Sequence, residues 1–136
     1  MSFVKPVGEE NEHPGYTSIT AGEQHLVDLI KAIQADKQDW SSTLVVVTYD
    51  EFGGAWDHMS PPTAHGISDV WGPGTRIPAM LLSDRLPQPA AVDHTEYDTV
   101  SILSTIENRF GLRALSSRDA ADHSLANAMR RGLPRL

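Results

Sequence analysis

The sequence predicts an α/β fold, a layered sheet with helices on its faces, and three observations predict it. Residues 43–49 (TLVVVTY) form a continuous β-branched, apolar run, the pattern of a strand buried on both faces of a parallel sheet. Two segments carry apolar residues at helical spacing: Leu26, Leu29, Ile30 and Ile33, then Ile102, Leu103, Ile106 and Phe110. The elements follow the order helix, strand, long loop, strand, helix, helix, as in a layered sheet.

Taken in order, residues 1–19 hold Pro, Gly and Glu without periodicity and read as irregular chain. Thr20-Ala21-Gly22-Glu23 has capping-box spacing and predicts a helix over about 21–36. The strand at 43–49 delivers Asp50 and Glu51 at its carboxyl end. Residues 50–76 are then rich in Gly and Pro and fit no regular element, so they predict a long ordered loop around Phe52, Trp56, Met59 and Trp71. A second strand follows over 77–83, with Pro78 where a missing N–H costs little. Asp98-Thr99 caps the next helix, and Gly111 suits its left-handed end. A last helix is expected from about Ser117 to Arg131, with Asp119 in its first turn, Arg130 and Arg131 in its last, and Gly132 and Pro134 as the stop. Two strands are too few for an independent sheet, so part of the domain is expected to lie outside this chain.

At 136 residues the chain has one domain's worth of length. Eleven Lys and Arg against 18 Asp and Glu give a formal charge of −7, which argues against a nucleic-acid partner. No apolar run approaches the roughly 20 residues of a membrane helix, so no transmembrane segment is expected. Without Cys, any metal must be held by carboxylate, imidazole or backbone oxygen.

The chemistry concentrates at the strand end. Asp50 and Glu51 close the first strand at its carboxyl edge, where open α/β sheets bind ligands, and Gly53-Gly54 allows a turn that lets both carboxylates meet one divalent cation. The alternative is a pair of acids that only solvates a strand end. His13, in a polar Glu-His-Pro segment, is either a surface or a site histidine. His58 follows Asp57 in the loop, as a ligand, an oriented partner or a loop brace. His94 lies just before a helix N-terminus, where anions are favoured. Arg76 either clamps a phosphoryl group or pairs with a neighbouring acid. No Ser stands in a nucleophile-elbow context, and no phosphate-binding Gly-rich loop is present.

Three blocks, WSSTLVVVTYDEFGGAWDHMSPP, GPGTRIPAMLLS and VDHTEYDTVSILSTIENRFGLRALSSRDA, together with the upstream EHPGYTSITAGEQHLVDLIKAIQ, resemble the C-terminal third of the bacterial phosphoesterase family that contains non-haemolytic phospholipases C and an acid phosphatase. The likeness runs from residue 13 to about 126. It implies an alkaline-phosphatase-like layered sheet with helices on both faces, of which residues 1–136 would be the C-terminal part of a single phosphoesterase domain. It implies that Asp50 and Glu51 bind the active-site metal, that His13 and His94 are catalytic, and that His58 and Arg76 contact substrate. The implied substrate is a phosphate ester or phospholipid. The family's Glu-Asn metal ligands and its Ser or Thr nucleophile fall outside these blocks. The missing N-terminal part is therefore an expected partner, and any export signal would lie upstream. Two other readings stand beside it. One is a non-catalytic remnant or interaction module that keeps the fold pattern. The other is a different metallohydrolase built from His13, Asp50, Glu51 and His58 alone.

Overall fold

A computed structural model describes residues 1–62, 70–86, 90 and 92–130, apart from the Arg130 side chain. The chain divides into two units, Met1–Trp56 with Ile77–Asp84, and the described parts of 57–76 and 85–130.

In the first unit, a 3₁₀ turn at Gly8–Glu10 precedes α1 (Ile19–Ala35) and α2 (Lys37–Trp40). Helix α1 starts earlier than expected. Ser18, in extended conformation, is its N-cap and accepts a hydrogen bond from the Ala21 N–H at 3.2 Å, so Thr20 lies inside the first turn and the expected capping box is not used. Its predicted stripe of Leu26, Leu29, Ile30 and Ile33 is half-buried. Asp36 then caps α2 by accepting from the Gln38 and Asp39 N–H groups at 2.9 and 3.0 Å.

Strand β1 (Val45–Thr48) pairs with β2 (Ala79–Leu82) in the register Val45 with Leu82 through Thr48 with Ala79. The pairing is antiparallel, which corrects the expected parallel neighbour, and Val45–Val47 are half-buried rather than enclosed on both faces. An apolar run states what a strand's faces touch, not which way its partner runs. No helix occurs among the described residues between the strands, and a parallel return needs a crossover of that kind. Side chains extend the pair at both ends: Thr48 Oγ1 donates to the Pro78 carbonyl at 3.1 Å and Ser83 Oγ to the Thr43 carbonyl at 2.7 Å.

The second unit contains α3 (Val100–Phe110), α4 (Ser117–Ala121) and α5 (Ala126–Arg130). Asp98 caps α3 by accepting from the Val100 N–H, and the Asp98 N–H donates to Ser101 Oγ at 3.1 Å. At its far end Gly111 adopts φ 63°, and the Leu112 N–H returns to the Glu107 carbonyl at 2.9 Å, a Schellman closure. The most buried face of α3 is Ser101, Ser104 and Glu107, whereas the expected stripe is half-buried and ends at an exposed Phe110.

That polar face explains a second correction. The single helix expected over 117–131 is broken at Asp122, which is extended and accepts from Ser101 Oγ at 2.9 Å. Thr105 Oγ1 takes the Leu125 N–H at 2.8 Å, so α3 hydroxyls satisfy groups that a continuous helix would have paired internally. Arg131, Gly132 and Pro134 lie outside the described residues. Leu125 is the one buried hydrophobic side chain among the described residues.

Candidate functional site

The first unit carries His13, Asp50 and Glu51; the second carries His58, Arg76 and His94.

Where β1 ends, the chain turns through Gly53 and Gly54, both left-handed at φ 65° and 73°, as the glycine pair predicts. Glu51 Oε2 accepts from the Gly53 N–H at 2.7 Å. Asp50 Oδ2 pairs with Lys5 Nζ at 3.2 Å, both side chains well exposed, and the ammonium holds the Asp50 carboxyl below its ordinary range.

The segment before α1 is fixed to this strand end. Tyr49, next to Asp50, donates its hydroxyl to the carboxylate of Glu12, next to His13. That hydrogen bond, helped by partial burial and the negative charge of Glu12, pushes the Tyr49 phenol up to about 12. Glu12 has φ 64°, the one positive value among the described non-glycine residues. Gly22 of α1 makes room for it, since a Cβ there would lie 2.1 Å from Glu12 Cγ and 3.1 Å from its backbone nitrogen. The His13 N–H donates to Asn11 Oδ1 at 3.0 Å, His13 Nδ1 lies 2.8 Å from the Pro14 carbonyl, and the ring packs 4.7 Å from that of Tyr16.

In the second unit, Arg76 grips Asp57 through Nε at 2.9 Å and Nη2 at 2.7 Å, and the Arg76 N–H adds a bond at 3.2 Å. The Met59 N–H completes the shell at 3.0 Å, and the guanidinium holds the Asp57 carboxyl far below its ordinary value. Of the two readings of Arg76, pairing with a neighbouring acid is the one observed. Both Asp57 oxygens are thereby engaged, and His58 beside it is exposed. His94 is also exposed, on a turn in which Asp93 accepts from the Thr95 N–H, the Thr95 hydroxyl and the Tyr97 hydroxyl. The helix N-terminus beyond it is taken by Asp98.

No group of three or more His, Asp or Glu side chains placed to hold a metal occurs among the described residues. Asp50 and Glu51 suit a hard divalent cation in kind, but two carboxylates fall short of the roughly six oxygen donors such an ion takes.

Residues 1–113 match the Phosphoesterase family. The chain belongs to this family. It is 30% identical over 132 residues to phospholipase C B of Mycobacterium tuberculosis (strain CDC 1551 / Oshkosh), covering 82% of this chain and 25% of that protein. It is 28% identical to non-specific phospholipase C6 of Arabidopsis thaliana (86% and 26% covered) and 25% identical to the non-hemolytic phospholipase C of Pseudomonas aeruginosa (82% and 20%). The chain thus spans about a quarter of the length of the curated phosphoesterase relatives it matches. A plant relative also widens the expectation of a bacterial family. Within the phosphoesterase match, sequence reasoning missed Glu12, Gly22 and Tyr49. The only signal for Glu12 and Tyr49 was adjacency to His13 and Asp50, because the bond that joins them crosses 37 residues of chain, and Gly22 carried none.

Proposed function

We infer that this chain supplies one side of a site that hydrolyses phosphate esters, with Asp50, Glu51 and His13 as its contribution. The observation that carries this is the Tyr49–Glu12 hydrogen bond, which joins the acid pair to the histidine segment within a phosphoesterase-family match. The names of the relatives favour a phospholipid as the ester, with a phosphomonoester of the acid-phosphatase kind as the alternative. Asp50 and Glu51 would hold a divalent cation together with ligands from further chain; such an ion supplies charge screening at phosphoryl oxygens. His13 would contact the phosphoryl group or stabilise the departing oxygen. Arg76, in the second unit, acts through its grip on Asp57.

The isolated chain is catalytically incomplete in this reading. Ser101, fully buried and donating to Asp122, is no nucleophile, and Ser68 lies outside the described residues. Half-buried apolar faces on α1 and β1 support a larger alkaline-phosphatase-like layered sheet completed by further chain. The test is hydrolysis of p-nitrophenyl phosphate and of phosphatidylcholine, with Mg²⁺, Mn²⁺, Ca²⁺ or Zn²⁺, by this chain and by the longest natural polypeptide that carries it. Activity in the longer protein alone is the expected result. No activity in either overturns the reading, and full activity in the 136 residues overturns the incompleteness.

A further inference from the structure

The geometry points to Glu12 and Tyr49 as positioning residues that fix the imidazole of His13 at the Asp50–Glu51 strand end. This inference rests on the reading of His13, Asp50 and Glu51 as one reacting site, and adds the pair that assembles it. Four observations converge. Glu12 is held left-handed at φ 64°, a conformation that an L side chain keeps only where its surroundings impose it. Those surroundings are visible: the Tyr49 hydroxyl donates to the Glu12 carboxylate, and α1 presents a glycine, Gly22, where any Cβ would collide with Glu12 Cγ at 2.1 Å. The unusual backbone of Glu12 sets the direction of the next residue, His13, whose N–H is tied to Asn11 Oδ1 and whose ring lies against Tyr16. Finally, His13 Nδ1 lies 2.8 Å from the Pro14 carbonyl, an acceptor only, so Nδ1 must donate, and Nε2 is left as the ring atom for a substrate oxygen.

Each end of the tie adjoins a site residue. Tyr49 is followed directly by Asp50, and Glu12 directly by His13, so one hydrogen bond between residues 37 apart sets the spacing of two groups that the sequence leaves far apart. Loss of the tie lets Glu12 relax to negative φ and swings His13 away from its carbonyl partner, while Asp50 and Glu51 stay at the end of β1.

The test uses the full natural chain with ¹⁵N-labelled histidine and three variants. Tyr49→Phe and Glu12→Ala break the tie, and Glu12→Gln keeps an acceptor oxygen. In both breaking variants kcat for p-nitrophenyl phosphate is expected to fall by up to about 100-fold, the size of a misplaced catalytic group, with KM little changed. Glu12→Gln is expected to stay near the parental value. In ¹H–¹⁵N spectra the Nδ1–H tautomer signature of His13 should be lost in the breaking variants and kept in Glu12→Gln. Unchanged kcat, or an unchanged His13 signature, in both breaking variants overturns the inference. If the parent hydrolyses no ester, the functional reading fails while the His13 signature still decides this one. Should Tyr49→Phe fail to fold by circular dichroism, Glu12→Ala decides.

Discussion

Asp50, at the end of β1, and the acids around α3 and α4 are used in opposite ways. At the end of β1, Asp50 is 77% exposed and its partner is one solvated lysine. Around α3 and α4, Asp119 is 2% and Glu107 6% exposed, and both Asp119 oxygens are taken up by the fold. Asp119 accepts from the Leu115 and Ser116 N–H groups at 2.6 and 2.8 Å and from the Ser116 hydroxyl, which lowers it to about 2. Burial, and then the neighbouring Asp119, raises Glu107, whose Oε1 is buried without a hydrogen-bond partner. Burial, and then Asp98, likewise raises Asp122. The contrast teaches that an acid's surroundings, more than its place in a motif, separate acids available to a ligand from acids that hold backbone together.

The sharpest way to break this contrast is Asp119→Ala. It strips the Leu115 and Ser116 N–H groups and the Ser116 hydroxyl of a buried charged acceptor, and thermal unfolding should fall by roughly 10 °C. A shift no larger than that of an exposed acid would end the distinction. Next comes pH. Asp119 is lowered, so its contribution is present above its ordinary value of 3.8 and is lost as pH falls through about 2. Glu107 is raised, so its contribution is present below its ordinary value of 4.5 and is lost as pH rises through its higher folded value. Glu107→Gln should therefore be more stable than the parent at pH 7, by about a few °C, and its melting temperature should change less between pH 4 and 8; equal slopes for the two proteins would refute this. Asp57→Asn, which takes the charged acceptor from the Arg76 guanidinium, should lower the melting temperature by about a few °C and speed proteolytic cleavage of the chain. The smallest effect on stability belongs to Asp50→Asn, with no measurable change in melting temperature, because exposed ion pairs contribute little. Calorimetry on the longest natural polypeptide should nevertheless show at least about tenfold weaker Mn²⁺ binding, and unaltered binding would remove Asp50 from the cation site.

Much of the local structure was legible in the residues. Leu26, Leu29, Ile30 and Ile33 mark α1 by spacing, Gly111 ends α3 as its position predicts, and Gly53-Gly54 turns the chain after the acid pair. These features depend on neighbours within a turn or two. What stayed hidden depends on residues far apart in the chain. The direction of β2 is set by pairing with a strand about 30 residues earlier, and the break between α4 and α5 by hydroxyls of Ser101 and Thr105. The buried face of α3 escaped because serine and glutamate carry no apolar signal, although small side chains allow close packing. At the candidate site, Asp50 and Glu51 were legible from the strand that delivers them. The tie from Tyr49 to Glu12 was not, since it joins residues 37 apart in the chain and neither side chain announces its partner.

The grip of Arg76 on Asp57 has a consequence for chain entropy. Between Thr48 and Ala79, which are paired, the polypeptide makes an excursion that would cost conformational freedom in proportion to the logarithm of its length, about 0.6 kcal/mol for each doubling. A bidentate bond between residues 57 and 76 draws a purse-string across that excursion near its base. The ends of β1 and β2 then meet across a short effective loop. The strand end that carries Asp50 is thus linked to β2 across fewer effective residues than the chain between Thr48 and Ala79 contains.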